Sequence, residues 1–101
     1  MTSYTLENCF ESNRKYPSTF HIPSENERAE LVVGDFVKLI FIPPTMVGGE
    51  RMWVKVTQIN EDSYQGTLAN DPALITSLKY EDVVHFEAQH IATILKKPKM
   101  C

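Results

Sequence analysis

The chain has 101 residues, of which 43% are hydrophobic and 23% are charged, and its formal net charge is −3 at pH 7. This length suits one small domain and leaves too little chain for two independent cores. The acidic balance argues against non-specific nucleic-acid binding, which depends on the neutralisation of phosphates. No apolar run approaches the ~20 residues of a membrane-spanning helix.

The N-terminal decapeptide and the cysteines bear on the compartment. Residues 1–10 lack the basic region and apolar core of a secretory signal. Cys9 and Cys101 lie far apart without the spacing of a disulfide framework, so both are expected to be free thiols. We therefore expect a cytoplasmic protein.

Two short helices are predicted before residue 34. Leu6, Cys9 and Phe10 form a narrow apolar stripe, which predicts a helix over residues 5–15. Ser24 followed by Glu27 has the spacing of a capping box, which predicts a second helix of at most two turns.

The chain changes to strand patterns after residue 34. Residues 36–42 are apolar on both faces, which is typical of a strand covered on both sides. Residues 50–59 alternate, and Trp53, the only tryptophan, lies on the face opposite Met52, Val54 and Val56.

A hairpin follows through the polar turn 60–63. Pairing residue 59 with residue 64 places Trp53 opposite Asn70, and Gly66 suggests a bulge or a close backbone approach. Residues 83–86 form a further strand, with either Val84 and Phe86 or their alternating neighbours facing inward. Residues 88–96 are either a helical turn with a short strand or one bent strand.

These elements predict one α+β domain: a small, curved, mostly antiparallel β-sheet or SH3-like barrel preceded by two short N-terminal helices. Residues 1–33 are expected to be a helical segment packing on the sheet. Residues 34–96 are expected to be the β-rich core, and residues 97–101 a flexible basic tail. The pairs Gly34-Asp35 and Glu81-Asp82 open two strands in a similar way, which does not by itself establish an internal repeat.

Several short motifs follow one another between residues 50 and 91. Their positions are Glu50, Met52, Trp53 and Val54; Gly66, Leu68, Asn70 and Pro72; Leu78, Lys79, Asp82 and Val84; and Ile91. In this order they resemble the bacterial YegJ-like domain of unknown function over roughly residues 34–94. Glu81 departs from the glycine of that pattern, and Ala69 departs from a frequent acidic residue. The family has no established function, but its occurrence alone or attached to ankyrin-type repeats implies a binding accessory.

Catalytic and metal-site patterns are weak. The chain has no Gly-x-Ser-x-Gly, phosphate loop or His-Glu-x-x-His. His85 and His90 are expected to diverge across a strand-to-turn change, and Cys9 is expected to be a buried, inert thiol. Neither an enzyme, a metal site nor a cofactor is expected.

The hairpin supplies the candidate binding residues, which are expected to form a polar rim around an aromatic floor. A structural interpretation is favoured for part of this set, with Asn70 and Asp71 capping the turn before Pro72 and Arg51 solvating an edge. The candidates are Arg51, Trp53, Tyr64, Asn70 and Asp71.

The aromatic residues Phe36, Trp53, Tyr64 and Tyr80 would form a stacking platform if they shared one open face. The alternative is that the N-terminal segment covers this face, because Phe10, Phe20 and Ile22 must also be buried. The second arrangement is favoured, and Trp53 is expected to be half-buried.

The leading hypothesis is a non-catalytic cytoplasmic interaction or accessory module with a protein partner, monomeric or weakly dimeric, without nucleic-acid or membrane binding. One alternative is a small-molecule binder or cryptic enzyme with a site near Trp53 and Asn70. The other is an immunity-type protein that neutralises a toxin.

Overall fold

The fold is that of a curled antiparallel half-barrel with two short N-terminal helices, as the computed structural model describes it for residues 4–44 and 48–97. This confirms the predicted α+β class. The strands are β1 (Thr5–Leu6), β2 (Phe36–Ile42), β3 (Glu50–Ile59), β4 (Tyr64–Leu68), β5 (Val83–Phe86) and β6 (Thr93–Leu95). The helices are α1 (Cys9–Lys15), α2 (Glu25–Ala29) and a 3-10 helix (Ala88–His90).

The strand order is β1-β2-β3-β4-β5, and every pairing is antiparallel. β6 pairs with β2 as well, along the edge that β1 also uses. β6 therefore returns to pair with β2. Residues 88–96 take the first of their two predicted forms, a helical turn followed by a short strand.

The core lies inside the curl of the sheet. Alternate residues of four strands point into it, as the period of two requires. Ile75 and Leu78, from the long connection before β5, complete it. The inward strand residues are Val37, Leu39, Phe41, Met52, Val54, Val56, Leu68, Val84 and Phe86.

Gly66 lies where the backbone of β3 leaves no room for a side chain on β4. A Cβ at this position would overlap the carbonyl oxygen of Lys55 and lie 2.5 Å from Val54 Cγ1. The register also shifts between Val56 and Gln58, so the β3–β4 ladder contains a bulge beside the glycine. Both features suggested by Gly66 are confirmed.

The same bulge corrects the predicted register. Ile59 pairs with Tyr64 as expected, but Val54 pairs with Leu68. Trp53 therefore lies opposite Ala69, not Asn70, because the extra residue of β3 shifts the rest of the ladder by one position.

The prediction of a helix over residues 5–15 is wrong at its start. Thr5 and Leu6 pair with Ile42 and Phe41 as strand β1. The helix begins only at Cys9, where the Asn8 side chain accepts a hydrogen bond from the Glu11 N–H at 3.2 Å and acts as the N-cap. The second helix has the predicted capping box between Ser24 and Glu27.

The N-terminal segment packs on the outer face of the sheet. Buried Cys9 and Ile40 form a second, smaller apolar cluster with Ala92. Phe20 and Ile22 are partly buried and pack against it. This cluster covers the part of β2 near Ile40.

Lys97, the first residue of the predicted flexible tail, is anchored to Asp35. Lys97 donates its backbone N–H to Asp35 Oδ1 at 2.9 Å, and the neighbouring Lys96 ammonium lies 2.5 Å from Asp35 Oδ2. Asp35 is fully buried, so these donors balance a charge that would otherwise be costly inside the protein. Lys99 and Cys101 lie outside the described residues.

Candidate functional site

The five predicted binding residues do not form one site. Arg51 and Trp53 lie on the outer face of β3. Tyr64 points into the core, where its ring stacks on Phe86 with centroids 5.2 Å apart and an angle of 11° between the planes. Tyr64 therefore lies on the face opposite Arg51 and Trp53, because alternation from Leu68 through Gly66 places it on the inner face.

Asn70 has a structural role beside Trp53. The Ala69 N–H donates to the Trp53 carbonyl at 2.9 Å, as a normal rung of the ladder. The next rung uses a side chain, because the Trp53 N–H donates to Asn70 Oδ1 at 2.5 Å. Asn70 thus supplies an acceptor for a backbone N–H at the end of the β3–β4 ladder. Asp71, the next residue, is exposed. The structural interpretation of Asn70 is favoured over ligand binding.

Glu50, which precedes Arg51 at the start of β3, organises the neighbouring loop. Its carboxylate accepts the backbone N–H groups of Ala73, Leu74 and Ile75 at 2.6, 2.9 and 3.3 Å. Burial alone would raise the pKa of this carboxyl, but the three donors outweigh it and lower the pKa. Glu50 therefore anchors the loop. The sequence around it, Glu50-Arg51-Met52, contains no pattern that indicates this role.

Outward residues of β2 and β3 form the most distinctive surface. Lys38 lies directly opposite Trp53 in the register, and its ammonium is 4.7 Å from the centroid of the indole ring. A cation at this distance over the face of a tryptophan is attracted by the ring electrons. The lysine in the otherwise apolar stretch 36–42 is the sequence signal that could have identified this surface.

Cations dominate this surface although the chain as a whole is acidic. Arg51 and Lys55 flank Trp53 on β3, and both are exposed. Among the described outward positions of β2 and β3, none is an aspartate or a glutamate. We refer to Lys38, Arg51, Trp53 and Lys55 as the basic-aromatic face.

The N-terminal segment borders this face. The Arg51 guanidinium lies 5.8 Å from the centroid of the Phe20 ring, and Phe20 packs on the cluster around Cys9. Burial and the nearby Glu7 raise the pKa of the Cys9 thiol to about 11, against the opposing effect of Arg51. Cys9 therefore stays a protonated, buried thiol, as expected. Trp53 is half-buried, which confirms the expected degree of burial.

The stacking platform, which was the less favoured arrangement of these aromatic residues, is absent from the part of the chain that the structure describes. Phe36 and Trp53 share the outward face, but Tyr64 points inward. Tyr80 is exposed in the turn before β5.

His85, on β5, and His90, in the 3-10 helix, both line a groove of about 420 Å³ together with Tyr4, Thr5 and Leu6. Within residues 4–44 and 48–97, no group of three or more His, Cys, Asp or Glu side chains is placed to hold a metal ion. The helices in these ranges are also too short or too polar to cross a membrane.

Comparisons with known proteins bear on the family alone. No curated protein and no solved structure matches the chain. The profile of the family described as "Uncharacterized protein conserved in bacteria (DUF2314)" matches residues 5–96. This match confirms the resemblance found in the sequence motifs, and it extends to the N-terminal segment. The chain therefore belongs to the DUF2314 family of uncharacterized bacterial proteins.

Proposed function

We propose that this domain is a non-catalytic interaction module whose basic-aromatic face binds an acidic segment of a partner protein. The observation that carries the proposal is the Lys38 ammonium held 4.7 Å above the Trp53 ring. This contact combines a cation and an aromatic surface at one point of an otherwise acidic protein.

Charge supports an acidic partner. Lys38, Arg51 and Lys55 lie on adjacent strands around one indole ring, whereas the chain has a formal net charge of −3. A local positive region on a negative protein orients an approaching acidic partner and disfavours docking elsewhere on the surface. Tryptophan and arginine are also the residues most often found at the energetic centre of protein interfaces.

The chemistry beside Trp53 favours an interaction module over an enzyme or a small-molecule site. Glu50 and Asn70 are polar residues near Trp53, and both already accept backbone N–H groups. Their hydrogen bonds stabilise the loop and the ladder, so they are not poised for acid–base work. Arg51 and Lys55 remain exposed for contact with a partner. A cytoplasmic location is part of the same proposal.

The test is affinity purification from a native bacterial lysate with the immobilised domain. Trp53→Ala removes the aromatic surface, and Arg51→Glu reverses one charge of the face. Tyr80→Ala is the matched control, because Tyr80 is a similarly large aromatic residue, 58% exposed, in the turn before β5. We expect a protein that the wild type and Tyr80→Ala retain, and that both face variants lose.

The bound protein should also elute with salt, because exposed charge pairs are screened over about 10 Å at 0.1 M ionic strength. Retention that is equal for all variants would contradict the proposal. Recovery of nothing above the background of an empty resin would contradict it as well.

A further inference from the structure

The two terminal strands of the sheet, β1 and β5, line one groove. Tyr4, Thr5 and Leu6 come from β1 and the residue before it, and His85 comes from β5. His90, from the 3-10 helix, completes the lining of this space of about 420 Å³. The half-barrel is thus open between β1 and β5. We refer to this space as the seam groove.

The free edge of β1 faces away from β2. The Glu7 N–H donates to the Ile40 carbonyl, and Thr5 pairs with Ile42 in the same register. Backbone groups of alternate residues in a strand point to opposite edges. The N–H and C=O of Leu6 therefore point to the edge that β2 does not use.

The same reasoning applies to β5. The Leu68 N–H donates to the Asp82 carbonyl, so this carbonyl, and by alternation the backbone groups of Val84 and Phe86, point towards β4. Val83 and His85 direct theirs to the opposite edge. Within the described ranges, no backbone partner occupies that edge of β5.

Strand direction determines what could fill such a gap. β1 and β5 are separated by four successive antiparallel pairings, so they run in the same direction. A single strand placed between them would be antiparallel to both. It would satisfy both edges at once with the stronger, antiparallel type of ladder.

The lining also indicates the charge of the occupant. None of its five residues is a lysine, arginine, aspartate or glutamate. His90 Nδ1 accepts the Glu87 N–H at 2.9 Å, so this nitrogen is unprotonated. Burial lowers the pKa of His90 more than Glu87 raises it, which disfavours a charged ring. An uncharged segment fits this lining best.

We infer that the seam groove binds an uncharged, extended peptide segment of a partner as an added strand, antiparallel to both β1 and β5. Binding of this kind uses main-chain hydrogen bonds for affinity and alternate side chains for selectivity. The site is separate from the basic-aromatic face, and its occupant differs from an acidic segment. The inference therefore stands apart from the proposed function.

Amide hydrogen exchange measured by NMR on the full chain tests this inference. The probe is the acetylated and amidated hexapeptide Thr-Val-Thr-Val-Thr-Val. The matched control peptide has the same side chains but N-methyl groups on alternate residues, which remove the donors of one edge. We expect the hexapeptide to slow exchange at Leu6, Val83 and His85 at least tenfold. Val84 and Phe86 should be protected before it is added.

A Trp53→Ala variant should respond to the hexapeptide as the wild type does, which separates this result from that of the basic-aromatic face. Three outcomes would overturn the inference. The first is no change at millimolar hexapeptide. The second is protection of Val83 and His85 in the free protein at every concentration, which means that the chain itself fills the groove. The third is protection that grows with protein concentration alone, which identifies a second copy as the occupant.

Discussion

Asp35 and Asp82 hold equivalent positions in the two turns that open β2 and β5. Asp35 accepts the Val32 N–H at 3.0 Å through its carboxylate, and its own N–H donates to the Val32 carbonyl at 3.1 Å. Asp82 makes the same pair of hydrogen bonds with Lys79, at 2.9 and 3.0 Å. The similarity of Gly34-Asp35 and Glu81-Asp82 in the sequence therefore reflects one turn geometry used twice.

The residue before each aspartate has a left-handed backbone, with a φ of 102° at Gly34 and 73° at Glu81. A side chain in this region costs roughly 1–2 kcal/mol, and glycine costs ~0.5–1 kcal/mol in lost backbone freedom. We predict that Glu81→Gly raises the free energy of unfolding by about 0.5 kcal/mol, as measured by urea denaturation. Gly34→Ala is the converse variant and should lower it by about 0.5 kcal/mol or more, because a Cβ there would also lie 3.0 Å from Lys97 Cδ. A destabilised Glu81→Gly protein would show that the glutamate side chain itself stabilises the turn.

The buried Asp35 carboxylate should make stability depend on pH. Burial alone would raise the pKa of Asp35, but hydrogen bonds from Lys96, Lys97 and Val32 outweigh it and lower the pKa. A carboxyl whose folded pKa lies below its unfolded value of about 3.9 stabilises the protein above that value. The stabilisation is lost as the pH falls through the folded pKa.

We therefore predict that Asp35→Asn lowers the free energy of unfolding at pH 7 by about 2–3 kcal/mol, because a charged, buried acceptor is lost. The difference from the wild type should shrink below about pH 4, in thermal melts recorded from pH 7 to pH 2. Asp82→Asn is the control, since Asp82 is only partly buried and should show a smaller effect. A difference that stays constant with pH would mean that the carboxylate charge does not matter.

Asn70 should be needed as a hydrogen-bond acceptor and not as a ligand-binding group. Its Oδ1 accepts the Trp53 N–H, and Asn70→Ala leaves that donor without its partner. We predict a loss of about 1–3 kcal/mol in the free energy of unfolding for Asn70→Ala. Asn70→Asp keeps an acceptor oxygen and should lose less. Equal losses would argue that the amide nitrogen of Asn70 is the stabilising group.

The two faces of β3 should differ in their contribution to stability. Met52 is 2% exposed inside the core, so Met52→Ala should cost ~2–5 kcal/mol through lost burial and a cavity. Trp53 is half-buried on the outer face, so Trp53→Ala should cost less than Met52→Ala in the same urea titration. A larger loss for Trp53→Ala would identify the indole as a core residue and would weaken its use as a binding variant.

The sequence predicted the elements that depend on local patterns and missed those that depend on distant partners. Alternation placed Met52 and Trp53 on opposite faces of β3, and the capping box located α2. The start of α1 was missed because Leu6 fits a helical stripe as well as it fits β1, and only pairing with Phe41 decides between them.

The candidate site was predicted only in part for a related reason. Arg51 and Trp53 lie on the outer face as expected, but the bulge near Val56 moved Asn70 out of register with Trp53. Lys38 on β2 reaches Trp53 on the neighbouring strand β3, a contact that the sequence does not encode locally.

Trp53 is the single tryptophan of the chain, so its fluorescence reports directly on the proposed binding face. The most direct test is a titration of its emission with hexaglutamate at low salt, with hexalysine as the matched control. We predict a saturable change with hexaglutamate that weakens at higher salt and is lost in the double variant Lys38→Gln, Arg51→Gln. An emission that hexaglutamate leaves unchanged, or that hexalysine changes equally, would contradict a basic-aromatic face that binds an acidic partner.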